Sequence, residues 1–546
     1  MKKNKKLWWN KFWSILTLLL TVTYLVWRIG FTIPHDKGIL SVVFWVILLL
    51  AEIFGLLEMA VHLYNMYDYG LYRHKLPGLP AARFPDVDVF VPTVNEPVEV
   101  LEATLTACLA MNYPSRDKIH IYLCDDGERQ KMQELASRLG VGYLTRTQHH
   151  SAKAGNLNAA LRQTTSPLIA VFDADMMPRP DFLMHTVPYF GANVRQMDWK
   201  KGKGKKQAKS SAHELQGMMG FVQTPQHFYQ PDLFQHNLRL GSRIPNEQDY
   251  FYRVVQLAKN KTNSVIFGGS NTLLSREALE HIGGFVEQVV TEDFATGIEL
   301  QKAGYQAIAV DEVLADGMTV HDFGGLMRQR RRWARGCIQS GRRTHYLRSK
   351  TLTFAQKINY LTSISYWYSS WKRLIYLLAP LLFALFGTVV VECTLPQVLI
   401  FWLPMYLATN LCMRRFADNI RTTRWTDIYE TTFFPYLLVA VLLETFGIRQ
   451  KQFHVTRKQK SKRTSHWYYT IPYLVGAGAS VWGIVELLKT SWEQQTPTYG
   501  VILFWLLINL YYLLVALVVA IGRSADGMDC VSYITTHDMK KKGENA

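Results

Sequence analysis

The sequence predicts an α/β domain with a largely parallel sheet, set between two groups of membrane-crossing helices. Three observations carry this expectation. Apolar residues gather towards the two ends of the 546-residue chain. Between about Pro80 and Arg348, short β-rich runs alternate with helical ones, an order that favours parallel strands with helices on both faces. Acidic residues stand just after two of those strands, where such sheets gather their ligands.

The elements follow in chain order. Met1–Lys6 is basic and leads into the apolar run Phe12–Val26, with Ile39–Ala60 close behind. A basic start invites a signal-peptide reading, but no small-x-small cleavage pattern separates the runs, so a retained first span is expected. After the centre come Leu374–Val391, Val398–Cys412, Leu437–Phe446, Ile471–Leu488 and Val501–Ile521. Several approach or reach the roughly 20 residues needed to cross a bilayer. Asp427–Phe446 fits either an interfacial helix or a span. Treated as interfacial, it leaves two spans before the centre and four after it, about six in all. That count keeps the basic start, the central segment and the basic Lys540–Lys542 tail in the cytoplasm. The expected units are 1–79 (membrane helices), 80–350 (the α/β domain) and 351–546 (membrane and interfacial helices).

Within the centre, Val87–Val91, Ile119–Leu123 and Leu168–Phe172 read as strands, being compact apolar stretches that end in polar residues. Pro97–Ala110, Glu128–Leu139 and Ala154–Leu161 read as the helices between them. A helix after Asp322 carries Leu326, Met327, Trp333, Ala334, Cys337 and Ile338 with arginines between. Apolar residues at that interval beside a basic face suggest a helix lying on the membrane surface. Phe354–Trp371 has a similar mixed character.

The net charge is +18, from 61 basic and 43 acidic residues. Positive-inside topology and anionic lipid headgroups account for it. No recognition motif accompanies the charge, so nucleic acid is not an expected partner. Lys200–Lys209 holds six lysines and reads as a solvated loop, with anionic lipid contact as the alternative. The six cysteines are scattered without metal-like spacing, so neither a zinc site nor a structural disulfide is expected.

Asp173-Ala174-Asp175 places two carboxylates on alternate positions after a strand. Magnesium and similar hard cations take oxygen ligands and share them with substrate phosphates. Asp125-Asp126-Gly127 follows another strand and is equally compatible with a plain turn. Thr291-Glu292-Asp293 opens a helix expected over Phe294–Lys302, where acidic residues favour the helix N-terminus. The alternative makes Asp293, with Glu292 beside it, a catalytic pair whose Asp293 takes a proton from an acceptor hydroxyl. Lys153 is placed to neutralise phosphate. Gln329, Arg332 and Trp333 stand at i, i+3 and i+4 and share one helix face. An arginine there can grip a diphosphate with a planar fork of donors, and an indole offers a flat surface to a sugar ring. Together these groups meet the needs of sugar transfer from a nucleotide diphosphate: cations against the departing diphosphate, a base, and a hold on the acceptor.

The central segment resembles a family 2 glycosyltransferase with a GT-A fold, in the cellulose synthase-like processive branch. The matching motifs are Asp88–Glu96, Asp125–Gly127, Lys153–Asn156, Asp173–Asp175, Phe221–Gln226, Thr291–Asp293 and Gln329–Trp333. A basic loop, Phe453–Lys458 within 449–465, is similar to the FxVTxK gating loop of cellulose synthases. The resemblance implies that Asp125 and Asp126 contact uridine, and that Lys153 and Arg332 hold the diphosphate. It implies Mg2+ or Mn2+ at Asp173 and Asp175, Asp293 as the base of an inverting displacement, and Trp333 stacked on the acceptor with Gln329 in the same motif. Phe453, Val455, Thr456 and Lys458 would close over the nucleotide. The expected activity is polymerisation of glucose from UDP-glucose into a β-glucan, exported through the plasma membrane, with the growing polysaccharide as acceptor.

Two departures from the family pattern carry expectations of their own. Where cellulose synthases usually show Phe-Phe-Cys-Gly-Ser, this chain reads Ile266–Ser270 with Gly268 at the third position. An enlarged or reshaped acceptor floor is expected, with a linkage not purely β-1,4. Only a short stretch follows the last span, so a PilZ domain, and direct control by cyclic-di-GMP, are not expected in this chain. Trp367, Tyr368, Trp371 and Tyr376 fit either a sugar path or an interfacial aromatic belt. A synthase of a hyaluronan- or chitin-like polymer, a non-processive transferase acting on lipid, and a nucleotide-binding transporter are the alternatives.

Overall fold

A computed structural model describes residues 2–191, 218–417, 420–448, 467–494 and 499–522. The Lys200–Lys209 run, the Phe453–Lys458 loop and the Lys540–Lys542 tail lie outside the described residues.

Helices α1 (Lys2–Phe31) and α2 (Ile39–Met66) precede the sheet domain. β1 (Val87–Thr93) is buried at every position, as expected of a strand covered on both faces. It pairs in parallel with β2 (Ile119–Asp125) and β4 (Leu168–Val171), and β2 pairs in parallel with β3 (Gly142–Leu144). Helices α3 (Val98–Leu109), α4 (Gln130–Leu139) and α5 (Ala152–Gln163) connect these strands, within two residues of the expected helices at each end. The chain then adds β5 (Met176–Pro178), β6 (Met219–Gln223), β7 (His227–Phe228), β8 (Thr272–Ser275), β9 (Gln306–Ala309) and β10 (Ala315–Gly317). The main sheet has seven strands in the order β3-β2-β1-β4-β8-β6-β9. β8 runs antiparallel to both of its neighbours, so the sheet is mixed. β5, β10 and β7 form a second, three-stranded sheet.

The buried charge of β1 is paired. Asp88 in β1 is buried, and its carboxylate meets the Arg276 guanidinium at 2.8 Å and accepts from Ser166 N–H at 3.0 Å. Its place in the Asp88–Glu96 motif is therefore structural, since a buried charge needs such a partner.

Beyond the sheet lie α6 (Glu292–Lys302), α7 (Phe323–Thr344), α8 (Phe354–Ser365), α9 (Ser369–Phe386), α10 (Leu403–Phe416), α11 (Thr423–Thr445), α12 (Ile471–Gln494) and α13 (Gly500–Ile521). Helix α7 differs from the expected surface-lying helix. Leu326, Met327, Ala334 and Ile338 are buried because α7 packs against α6, α8 and α11. Protein, rather than lipid, covers its apolar face.

Among the described residues, seven helical segments are long and apolar enough to cross a membrane, one more than the six expected. The additional one is α11, which has the lowest mean hydropathy of the seven, 1.2, and the largest buried share, 50%. It follows the sheet domain along its length. Arg421, just before it, lies over the Tyr250 ring at 5.6 Å. Tyr429 meets Phe234 edge-on at 4.5 Å, and Glu444 near its far end accepts from Arg335 at 3.4 Å and Gln339 at 2.8 Å.

Each of the other spans meets the sheet domain near one of its ends. The start of α1 and the residue after α2 meet through Asn10 and Tyr67 O at 3.1 Å, and Asp68 pairs with Lys261 at 2.9 Å. The end of α10 joins them, Arg415 donating to Asn10 at 2.8 Å. Tyr469, at the start of the segment containing α12, packs on Phe323 at 5.5 Å. Val519 near the end of α13 accepts from Asn237 at 3.0 Å. At the opposite end, Glu392 N–H donates to Thr32 O at 3.1 Å.

Candidate active site

The parallel strands β1, β2 and β4 end side by side, with Thr93 in register with Asp125. The ends of β1 and β4 form the rim of a cavity of about 2020 Å³. It begins at Lys153, Asp173 and Asp175, passes Glu292, Asp293, Gln329, Arg332 and Trp333, and continues between membrane helices to Glu58, Lys372 and Glu430. Eight sequence-derived site residues thus share one space. Of the four aromatics considered for a sugar path, Trp367 and Tyr376 line it while Tyr368 and Trp371 do not.

Asp125 and Asp126 stand behind the wall instead of lining it. Asp125 is the last residue of β2 and is fully buried. It accepts from Gly127 N–H at 3.1 Å, Arg129 N–H at 2.7 Å, the Arg129 guanidinium at 3.0 Å and the Tyr143 hydroxyl at 3.1 Å. Asp126 accepts from Arg146 Nη2 at 2.7 Å, with His149 Nδ1 at 3.1 Å. Burial raises its pKa, but the Arg146 and His149 contacts outweigh that and hold it below the ordinary carboxylate value. His149 reaches the cavity, so Asp126 acts on that wall through its partners.

Lys153, near the start of α5, donates to Asp173 Oδ1 at 2.5 Å and to Gly269 O at 2.6 Å. Burial disfavours its charge, yet Asp173, Glu292 and Asp293 around it raise its pKa. The ammonium therefore stays charged at the centre of the carboxylates. Glu292 and Asp293 form the first turn of α6. Burial raises both pKa values, and Glu292 adds to the effect on Asp293, which is pushed up to about 7. Gly269 makes this packing possible. Its φ is +81°, and a Cβ there would stand 2.5 Å from Asp293 Oδ2, closer than any side chain tolerates without displacement.

Helix α7 supplies the opposite wall. Gln329 Oε1 is buried with no hydrogen-bond partner among the described residues, an acceptor that a ligand donor would satisfy. Two residues outside every motif, Tyr252 and Glu247, also face this space, as does Arg330 within the Gln329–Trp333 run. Burial first, and the charge of Asp293 next, keep the Tyr252 phenol protonated. A Cβ on Gly268 would stand 3.0 Å from Tyr252 Oη and 3.3 Å from Gln223 Oε1. Tyr252 and Gln223 therefore crowd the space a side chain would take at Gly268.

Asp173 and Asp175 fit a hard divalent cation that shares its coordination with the substrate. Both line the cavity and offer hard oxygen donors. Among the described residues no group of three or more His, Cys, Asp or Glu could close a cage. Two carboxylates that leave the remaining positions to phosphate and water match the habit of magnesium.

Strand-end carboxylates on a mixed α/β sheet, opening into a cavity that runs among membrane helices, define a GT-A fold built into a membrane domain. Residues 85–336 match the family model described as glycosyltransferase like family 2. The chain is 30% identical to a putative cellulose synthase 2 of Komagataeibacter xylinus, over 94% of this chain and 32% of that protein. It is 30% identical to the UDP-forming cellulose synthase catalytic subunit of Pseudomonas fluorescens (strain SBW25), over 93% of this chain and 66% of that protein. Among solved structures it is similar to a mannosyltransferase of Pyrobaculum calidifontis, at 20% identity and a TM-score of 0.48, covering 73% of this chain and 99% of that one. The chain belongs to glycosyltransferase family 2, in its cellulose synthase-like group. It spans about a third of the length of the first of these relatives and 66% of the second.

Proposed function

We propose that this chain is a membrane-embedded, processive, inverting glycosyltransferase that polymerises glucose from UDP-glucose into a β-glucan and passes it across the plasma membrane. The observation that carries this reading is the single cavity joining Lys153, Asp173 and Asp293 to the space between the membrane helices. Similarity to a UDP-forming cellulose synthase subunit supports a UDP-sugar donor and a glucan product.

In this reading an acceptor hydroxyl oxygen attacks C1 of the donor glucose from the side opposite the diphosphate. The C1–O bond to UDP breaks, the new glycosidic bond forms with inverted configuration, and the hydroxyl proton passes to Asp293. Lys153 and Arg332 hold the diphosphate, and Trp333 stacks on the acceptor sugar. Asp173 and Asp175 would hold Mg2+ or Mn2+, which when bound supplies positive charge against the leaving diphosphate. Asp126 would meet the uridine side through Arg146 and His149, and Asp125 by fixing the β2 end. Glu292 raises the basicity of Asp293.

The helix ends support six crossings. Every apolar helix except α11 touches the sheet domain at one end, whereas α11 touches it along its length. With α11 lying along the domain, the start of α1 and the end of α13 fall on the same side as the active site. We place that side in the cytoplasm, in keeping with the basic start of the chain.

A base with a raised pKa gives a pH dependence. Asp293 accepts a proton only when ionised, and Glu292, Lys153, Asp173 and Tyr252 surround it. The kcat/KM for polymer formation should therefore rise with pH through neutrality and level off above it, since this parameter reports the free enzyme. A flat profile from pH 5.5 to 8.5, measured by UDP release, would remove Asp293 from that role.

Donor and linkage are tested together. UDP-glucose should outcompete UDP-N-acetylglucosamine and UDP-glucuronate in incorporation assays. Digestion of the product with linkage-specific glucanases should reveal linkages besides β-1,4, given the Gly268 floor. Incorporation of the other sugars instead would favour a chitin- or hyaluronan-like polymer, and a product wholly of 4-linked glucose would end the linkage proposal.

A further inference from the structure

Arg330 lies three residues before Trp333 on α7, and their side chains meet on one helix face. Its guanidinium carbon stands 4.3 Å from the centre of the Trp333 ring system and 5.5 Å from the Phe433 ring. The side chain is only 6% exposed and forms an ion pair with Glu247, itself 10% exposed. Glu247 is anchored in turn. Its backbone N–H donates to Asp232 Oδ2 at 2.7 Å, and Asp232 caps the short helix Leu233–Asn237 through Phe234 N–H and Gln235 N–H. Phe234 packs edge-on against Tyr429 and Phe433 of α11. The guanidinium is therefore held between a fixed carboxylate and two aromatic rings.

Several features set this arrangement apart from an ordinary buried salt bridge. Arg330 Nε is buried with no hydrogen-bond partner among the described residues, so the geometry favours stacking over saturated hydrogen bonding. Both Arg330 and Glu247 line the active-site cavity. A planar cation stacked on an indole fixes the ring's tilt, and a lysine cannot replace that planarity.

We propose that Arg330 is a positioning residue: held by Glu247, it clamps Trp333 so that the remaining indole surface forms a rigid platform for the acceptor sugar. Through Phe433 the same guanidinium ties that platform to α11. The inference rests on Trp333 being the acceptor surface, as in the proposed function. It predicts a defect in acceptor use with donor binding intact, a pattern that a purely structural ion pair would not give.

The test uses the full chain in detergent or nanodiscs with UDP-glucose and Mg2+ or Mn2+. Polymer formation and UDP affinity are compared for wild type, Arg330→Lys, the charge-neutral pair Glu247→Gln/Arg330→Gln, Trp333→Ala, and Trp333→Ala combined with each. The neutral pair avoids leaving one buried charge without its partner. Arg330→Lys and the neutral pair should each lower polymer formation about a hundredfold, the scale of a misplaced binding surface. UDP affinity should change by no more than about twofold, and Trp333→Ala should add no further loss in either background. Losses that multiply with Trp333→Ala, UDP affinity falling in step with activity, or full activity of Arg330→Lys would each overturn the clamp. A wild-type chain that forms no polymer overturns the functional reading, and the clamp with it, whereas an active wild type with additive variants overturns the clamp alone.

Discussion

Asp293→Asn is expected to lower polymer formation and coupled UDP release by about 10²- to 10⁴-fold, the usual contribution of a positioned general base. The substitution keeps shape and volume, so the Gly269 contact and the start of α6 survive it. Its effect on stability should run the other way. Burial and Glu292 both disfavour the Asp293 carboxylate. A raised carboxyl pKa means the folded state bears a cost once pH exceeds the ordinary carboxylate value, and that cost grows until the folded-state pKa is passed. Removing the charge should therefore leave the melting temperature at pH 8 unchanged or higher while activity disappears. Loss of activity accompanied by a collapse in stability would instead mark Asp293 as structural.

The second large effect concerns Asp173. One of its oxygens is taken by Lys153 at 2.5 Å, so the lysine already sits where positive charge is needed. Chelation of divalent cations should abolish transfer, and added Mg2+ or Mn2+ should restore it in wild type. Asp173→Asn should lose about 10³-fold or more in rate, on the scale of several kcal/mol of charge stabilisation. UDP affinity separates this from general damage. Wild type should bind UDP more tightly with Mn2+ than without, and Asp173→Asn should show the same affinity in both conditions. A variant that keeps the metal-dependent increment would exclude Asp173 as a ligand.

Much of this arrangement was legible in the sequence because it rests on local pattern. β1, β2 and β4 are compact, largely apolar runs, and the helices between them fall within two residues of their expected bounds at each end. Asp173 and Asp175 are visible because they follow such a run directly, and Glu292 and Asp293 because they open a helix after Thr291. What escaped depends on long-range pairing. β7 and β10 are two and three residues long and owe their conformation to partners far away in sequence. The antiparallel course of β8 leaves no trace in its own four residues. Asp125-Asp126-Gly127 reads equally as a turn or a ligand site, and only the fold supplies Arg129 and Tyr143 around the buried Asp125.

Helix α7 shows the same limit from another side. Its alternation of apolar and basic residues signals two faces but does not say what covers each. The apolar face is buried by α6, α8 and α11, a fact carried by those other segments. Arg330 was one arginine in a run of three, and its special position depends on Glu247 and Phe433, more than eighty residues away on either side. The one available signal was its spacing of three from Trp333. For α11, hydropathy alone gives a seventh span. The contacts of Arg421, Tyr429 and Glu444 with the sheet domain favour a helix lying along it.

The most direct test of the central claim is product formation by the purified full chain. With UDP-glucose and Mg2+ or Mn2+, it should release about one UDP for each glucose incorporated, the stoichiometry of processive transfer without idle hydrolysis. The product should be an insoluble or high-mass polymer that β-glucanases digest. UDP release without polymer, or a polymer resistant to β-glucanases and cut only by chitinase or hyaluronidase, would contradict the account.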